Sequence, residues 1–289
     1  MVAVRRVIAV AAIFLAFVLV VPHKPADAAT DQQGLPEMSL YAQSAAESLR
    51  RDFADPDISF LLLDARAGHV LASNWEHPEL PIPLGSLAKP FTALAYGEQH
   101  DYEYPSHICR GTASGCWRPA GHGSVDLTNA IAYSCNSYFR SLTEDLNSED
   151  VASTADRFRI DAPDQQAEGT ALAGVGSGWR IAPLRMGRAY LELARERDRP
   201  AVRQIIDGMA KSAEQGTGAQ LGRALVGTRA LAKTGTAPCI HARRAPGDGF
   251  AIALLPADDP KILLMVRVHG VPGSQAAKTA GQMLRRIQD

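Results

Sequence analysis

Pro83-Leu84-Gly85-Ser86-Leu87-Ala88-Lys89-Pro90-Phe91 sets a serine directly after a glycine and a lysine three residues beyond it. The pattern from Pro90 to Gln99 predicts a helix with Ser86 at its N-terminus, where unsatisfied N–H groups and the macrodipole stabilise negative charge. Residues i and i+3 of a helix share a face, so the Lys89 amine can reach the Ser86 hydroxyl and act as its base. An amine accepts a proton only when neutral, and burial together with a second cation would push its pKa down. Lys233 is the expected second cation.

Two motifs further along complete the set: Ser134-Cys135-Asn136 and Lys233-Thr234-Gly235-Thr236. Ser134 and Asn136, two apart, project to one side of an extended or tight loop. Thr234 and Thr236 share one face of a strand and Lys233 takes the other, while Gly235 admits a close backbone approach by substrate. Each pattern alone has a plain reading: a helix cap with a solvated lysine, a pair of cap residues, an edge strand blunted by a charge. The chain has six lysines, and two of them fall inside these motifs. In this order the three supply a nucleophile, a proton relay and an anion-binding strand, the parts needed for acyl transfer to a serine.

These motifs and their flanks resemble the transpeptidase domain of the penicillin-binding proteins, the superfamily that includes the serine β-lactamases, and class B proteins most of all. The flanks are Gly121-His122-Gly123, Ala130-Ile131, Ser137-Tyr138-Phe139, Gly176-Ser177-Gly178, Pro183-Leu184-Arg185-Met186 and Gly216-Thr217-Gly218. The resemblance runs from about Ile58 to the C-terminus. It implies Ser86 as nucleophile, Lys89 as base, Ser134 as proton shuttle and Asn136 as the group that holds the substrate amide carbonyl. It also implies Lys233, Thr234 and Thr236 at the carboxylate of a D-alanyl-D-alanine stem peptide or a β-lactam, and an oxyanion hole built from the backbone N–H groups of Ser86 and Thr236.

Composition narrows the setting. The 289 residues, 46% hydrophobic and 21% charged, can bury a full core. The formal net charge of -1 gives no electrostatic footprint for nucleic acid or an anionic membrane surface. Arg5 and Arg6 precede an apolar run from Val7 to Val21, followed by Pro22, Pro25 and the small residues Ala26-Asp27-Ala28. This reads as a signal peptide over residues 1–28, cleaved because the run is shorter than the roughly 18 to 20 residues a spanning helix needs. The other reading is an uncleaved anchor over residues 7–21, and either one places residues 29–289 outside the cytoplasmic membrane.

The four cysteines fit an exported protein. Cys109 and Cys116 flank a loop that a local disulfide could close if it bends back, although four cysteines allow three complete connectivities. Cys135 reads as a buried free thiol, and Cys239 as unpaired or matched to an unnamed partner. His107, His122 and His241 raise zinc, but the spacing fits no finger or ribbon, so no metal or cofactor is expected. His122 and Trp117 read as structural residues.

Periodicity predicts helices over residues 40–53 and 274–287 and strands over 58–64, 69–73, 250–255 and 262–268. With Lys233 to Ala237 as the fifth strand, one antiparallel sheet built from both ends carries the terminal helices on one face. The expected class is α/β (α+β): a sheet subdomain of about 35–85 and 231–289, and a mainly helical subdomain of about 86–230. Helices are expected at 90–99, 126–146 and 183–194.

The activity expected is a D,D-transpeptidase or D,D-carboxypeptidase, with peptidoglycan stem peptides and β-lactams as ligands. A β-lactamase needs a deacylation base, and Glu168-Gly169-Thr170-Ala171-Leu172 does not fit the glutamate loop of one class. Asn136 departs from the Ser-x-Val of the other. A third reading is a sensor or scaffold that acylates once. Almost nothing precedes Ile58 where class B relatives carry a long pedestal, which suggests a partner protein of cell-wall synthesis or a specialised substrate. Pro238 to Arg244 lacks the usual aromatic before the next strand.

Overall fold

The computed structural model describes residues 40–240 and 244–288. Its strands are β1 (Ile58–Asp64), β2 (Val70–Ser73), β3 (Ile82–Pro83), β4 (His107–Cys109), β5 (Gly123–Val125), β6 (Arg180–Ile181), β7 (Leu231–Ala237), β8 (Asp248–Leu255) and β9 (Ile262–His269). The helices are α1 (Leu40–Asp52), α2 (Lys89–Gln99), α3 (Leu127–Ala132), α4 (Asn136–Leu142), α5 (Ser148–Arg157), α6 (Pro183–Arg195), α7 (Pro200–Gln215), α8 (Ala219–Ala224) and α9 (Gly273–Gln288). The candidate signal or anchor segment lies outside the described residues. Among the described residues no helix is long and apolar enough to cross a membrane.

The expected sheet is present, in the order β2-β1-β9-β8-β7 with every pair antiparallel. Alternation along the strands explains its two different faces. Phe250, Ile252 and Leu254 of β8 point into the larger core with Phe91, Tyr190 and Met209 of the helical part. Ala251 and Ala253 point the other way, with Ala232 of β7, onto Ala276, Ala277 and Ala280 of α9. Small residues on both partners let the terminal helix lie close on the sheet, and α1 shares that face through Ala46 and Leu49. Each large side chain sealed in the opposite core is worth about 1.5 to 3 kcal/mol.

The helix expected over 126–146 is interrupted. Asp126 caps α3, its side chain accepting from the Asn129 N–H at 2.7 Å. The helix then ends in a Schellman motif: the Cys135 N–H reaches Ala130 O at 2.9 Å and the Ser134 N–H reaches Ile131 O at 3.2 Å. The left-handed residue of that motif, ordinarily glycine, is Ser134, with φ of 51°. The short apolar period continues through the break, which is why pattern alone runs the two helices together. A second difference lies at Ser86, which occupies a 3-10 turn, Gly85–Ala88, rather than the first turn of an α-helix that begins at Lys89.

Candidate active site

The three motifs converge where β7, the edge of the sheet, meets the helical part. A cleft of about 150 Å³ is lined by Ser86, Trp117, Ser134, Asn136, Thr217, Thr234, Gly235, Thr236, Pro272, Gly273 and Ser274. Lys89 and Lys233 lie beneath it, each fully buried. A larger groove of about 780 Å³ elsewhere runs past Arg157 and Arg185, whose guanidinium groups are held by Glu98, Glu196 and Asp161. Its lining holds no serine, threonine, cysteine or lysine.

Ser134 is the hub. Its left-handed backbone turns the side chain off the end of α3 and into the space between the two lysine Nζ atoms. Lys233 Nζ donates to Ser134 Oγ at 3.0 Å and to Thr234 O at 2.7 Å. Lys89 Nζ donates to Asn136 Oδ1 at 2.6 Å, to Ser134 O at 2.9 Å and to Ser134 Oγ at 3.5 Å. Lys89 is therefore aimed at the second motif, and the Ser86 hydroxyl makes no hydrogen bond among the described residues. The Trp117 indole N–H holds the same turn through Tyr133 O at 3.2 Å and Ser134 O at 3.1 Å.

Burial lowers Lys89 from its ordinary value to about 7, so near neutrality it is divided between amine and ammonium. The charges of Cys135 and Cys116 oppose that drop. Burial also sends Lys233 well down, with the charge of Lys89 adding to it. Of the two causes expected to lower Lys89, burial is the one that does so, while the charge repulsion between the lysines lowers Lys233.

The third motif packs directly against the first. A Cβ on Gly235 would lie 2.5 Å from Leu84 O, and one on Gly85, at φ of 58°, would lie 2.3 Å from Thr236 O. Gly235 thus makes room for the turn that carries Ser86, and it also lines the cleft. The two glycines let the Ser86 turn pack against the edge strand, with Thr236 exposed at the mouth. Thr234 Oγ1 donates to Thr217 Oγ1 at 2.6 Å, and the Gly273 N–H donates to Thr236 Oγ1 at 2.9 Å. Thr217 and Trp117 were not expected at the site; the Gly216-Thr217-Gly218 triplet was the available signal for the first.

The candidate disulfide between Cys109 and Cys116 is not formed, and none is present among the described residues. The β4–β5 hairpin carries Cys109 beside His122, and the Ser134 turn brings Cys135 to the same place. Cys109 Sγ and Cys116 Sγ each lie 3.5 Å from His122 Nδ1, and Cys116 Sγ lies 3.9 Å from Cys135 Sγ. All four donor atoms fall within 4.8 Å of one another. The contact with Cys135 pulls the Cys116 thiol down while raising Cys135, and burial lowers His122, so one thiolate and a neutral imidazole are favoured. Donor types and separations fit a tetrahedral Cys3His zinc site, which sequence spacing does not reveal because the donors come from a hairpin and a distant turn. A zinc ion there would hold the turn between Ser134 and Asn136.

The sequence matches the family described as "Penicillin binding protein transpeptidase domain" over residues 58–289. The chain belongs to the penicillin-binding protein transpeptidase family. Among solved structures of this fold, Pseudomonas aeruginosa PBP2 in complex with WCK 5153 is 17% identical, with a TM-score of 0.71 over 86% of this chain and 73% of that one. Helicobacter pylori PBP2 in complex with MreC is 17% identical, with a TM-score of 0.72 over 85% of this chain and 62% of that one. The D,D-transpeptidase domain of an Eggerthella lenta peptidoglycan glycosyltransferase is 16% identical, with a TM-score of 0.65 over 86% and 81%. A comparison with curated proteins finds no match. These identities carry the transpeptidase fold, and the chain's own residues must carry the chemistry.

Proposed function

We propose that this transpeptidase domain is an exported serine D,D-transpeptidase or D,D-carboxypeptidase that acts on peptidoglycan stem peptides through an acyl-Ser86 intermediate. The observation that carries this reading is the convergence of two buried lysines on the Ser134 hydroxyl, at 3.0 and 3.5 Å, beside a serine that lines the cleft. The neutral Lys89 amine takes the Ser86 proton as Oγ attacks the penultimate D-alanine carbonyl. Ser134 passes a proton from the lysine pair to the leaving amine. Lys233, Thr234 and Thr236 receive the terminal carboxylate, Asn136 the substrate amide, and the N–H groups of Ser86 and Thr236 the developing oxyanion.

A peptide amine then takes the acyl group and forms a cross-link, or water takes it and the peptide is trimmed. No carboxylate occurs among the residues lining the cleft, which favours a persistent acyl-enzyme over β-lactamase turnover. Residues 1–28 supply the export signal or the membrane tether. The complex of the Helicobacter pylori relative with MreC supports a cell-wall partner protein here as well.

The test is intact mass of residues 29–289 over time with benzylpenicillin, with Ser86→Ala alongside. One long-lived penicilloyl adduct, absent from the variant, is expected. Rapid hydrolysis of the drug would move the assignment to β-lactamase, and neither adduct nor hydrolysis would sink the antibiotic-recognising reading.

A further inference from the structure

Beyond the catalytic cleft, three donors that neither the transpeptidase chemistry nor the Cys3His set uses meet at the far end of the edge strand. Cys239 lies two residues past the end of β7, Asp248 opens β8, and His269 closes β9. Asp248 is the register partner of both Ala237 and His269, so sheet pairing itself brings the exit of β7 to the His269 ring. Asp248 Oδ1 lies 2.7 Å from His269 Nδ1, Cys239 Sγ lies 3.7 Å from the same nitrogen, and all three donor atoms are within 4.8 Å of one another. Asp248 is 2% exposed, and the His269 side chain 13%.

Both contacts falling on one ring nitrogen is the informative feature. A catalytic relay uses the two nitrogens in turn, the carboxylate on one and the thiol on the other, so this is not a Cys-His-Asp nucleophile. A single proton on Nδ1 satisfies the carboxylate and leaves the sulfur facing an N–H, whereas a cation between the three would use a lone pair of each. Thiolate, imidazole and carboxylate are all zinc donors, and three protein ligands with water in the fourth position are an established arrangement. With metal–ligand bonds of about 2.0 to 2.3 Å in a tetrahedron, the sulfur and nitrogen already stand at the right separation, and the carboxylate needs to back away by roughly half an ångström.

The neighbouring Arg267 guanidinium is held by Ser59 Oγ at 2.8 Å and over the Trp75 ring at 4.9 Å, contacts that a metal at Cys239, Asp248 and His269 leaves in place.

We infer that Cys239, Asp248 and His269 form a second zinc site, separate from the Cys3His set, which clamps the exit of β7 and so fixes the Thr236 end of the substrate cleft. The mechanical link is short, because Thr236 precedes Ala237 and receives the Gly273 N–H.

The experiment is metal content of the purified full-length chain, loaded with zinc alone and dialysed, for wild type, Cys239→Ser, Cys116→Ser and the double variant. Cys239→Ser is expected to lose one zinc equivalent per chain relative to wild type, and the double variant one more than Cys116→Ser. In wild type, iodoacetamide labelling of Cys239, read by peptide mass spectrometry, should rise at least tenfold after chelation. Cobalt(II) loaded into Cys116→Ser should give a thiolate charge-transfer band that Cys239→Ser removes. Unchanged zinc in Cys239→Ser, or Cys239 labelling that chelation does not alter, would overturn the inference. The labelling experiment needs no variant, so a misfolded one does not rescue the idea.

Discussion

Lys89 offers the sharpest test, because its pKa links catalysis to stability with one sign. Burial takes it from 10.5 to about 7 in the folded chain. A displacement of that size corresponds to on the order of 5 kcal/mol between protonated and neutral forms. Below about pH 7 both folded and unfolded chains hold the proton, and stability sits on its low plateau. Between about 7 and 10.5 the unfolded chain still holds it while the folded chain has released it, so stability rises with pH, by at most about 1.4 kcal/mol per pH unit. Above 10.5 the contribution is level again. Lys89→Met removes this slope but also strands the acceptors Ser134 O and Asn136 Oδ1, so the pH dependence is diagnostic and the absolute stability is not. Urea midpoints at pH 7, 8 and 9 for both proteins read the slope; Lys233, also lowered by burial, contributes a slope of the same sign that survives in the variant, so the difference between the two slopes belongs to Lys89. The same titration predicts that acylation by a fluorescent penicillin climbs through a midpoint near pH 7. Parallel stability profiles for the two proteins, or an acylation rate flat from pH 6 to 8.5, would refute the reasoning.

Replacing the left-handed serine separates its two roles: Ser134→Gly should be about 1 kcal/mol more stable than Ser134→Ala in thermal melts, the shared loss of the hydroxyl cancelling, while both lose roughly 100-fold or more in acylation rate. A Cβ at position 235 collides with Leu84 O, so Gly235→Ala is expected to cost about 1 to 3 kcal/mol and to slow acylation with the chain still folded, checked by denaturant melts and stopped-flow labelling. Trp117→Phe removes the two hydrogen bonds to Tyr133 O and Ser134 O but keeps an aromatic wall; it should slow acylation more than it weakens initial penicillin binding, read as a split between the rate constant and the half-saturation concentration.

The sheet was legible because β1, β8 and β9 are apolar runs of strand length and the terminal helices carry apolar stripes, both patterns that tertiary context reinforces. The motif residues were legible because a nucleophile and two lysines recur at separations that local geometry explains. The interruption at Ser134 was not, since a serine in the position usually given to glycine leaves no composition signal. The packing of Gly235 against Leu84 was not legible for a related reason: a glycine announces a close approach without saying by what. Neither cysteine cluster could be read from spacing, because Cys109 and Cys135, or Cys239 and His269, become neighbours only once a hairpin, a turn and three strands are in place.

The pairing of β1 with β9 joins Ile58 to Val268, nearly opposite ends of the folding unit. Closing so long a loop costs chain entropy before any contact repays it, so this seam belongs among the late events of folding. During synthesis every candidate catalytic side chain emerges before β9 does. A chain stopped after Thr236 would hold the whole chemical inventory and have no sheet to set it on, with β1 left as an unpaired apolar edge open to other chains. Quality control acting on the last strand and helix would therefore police the activity without touching a catalytic residue.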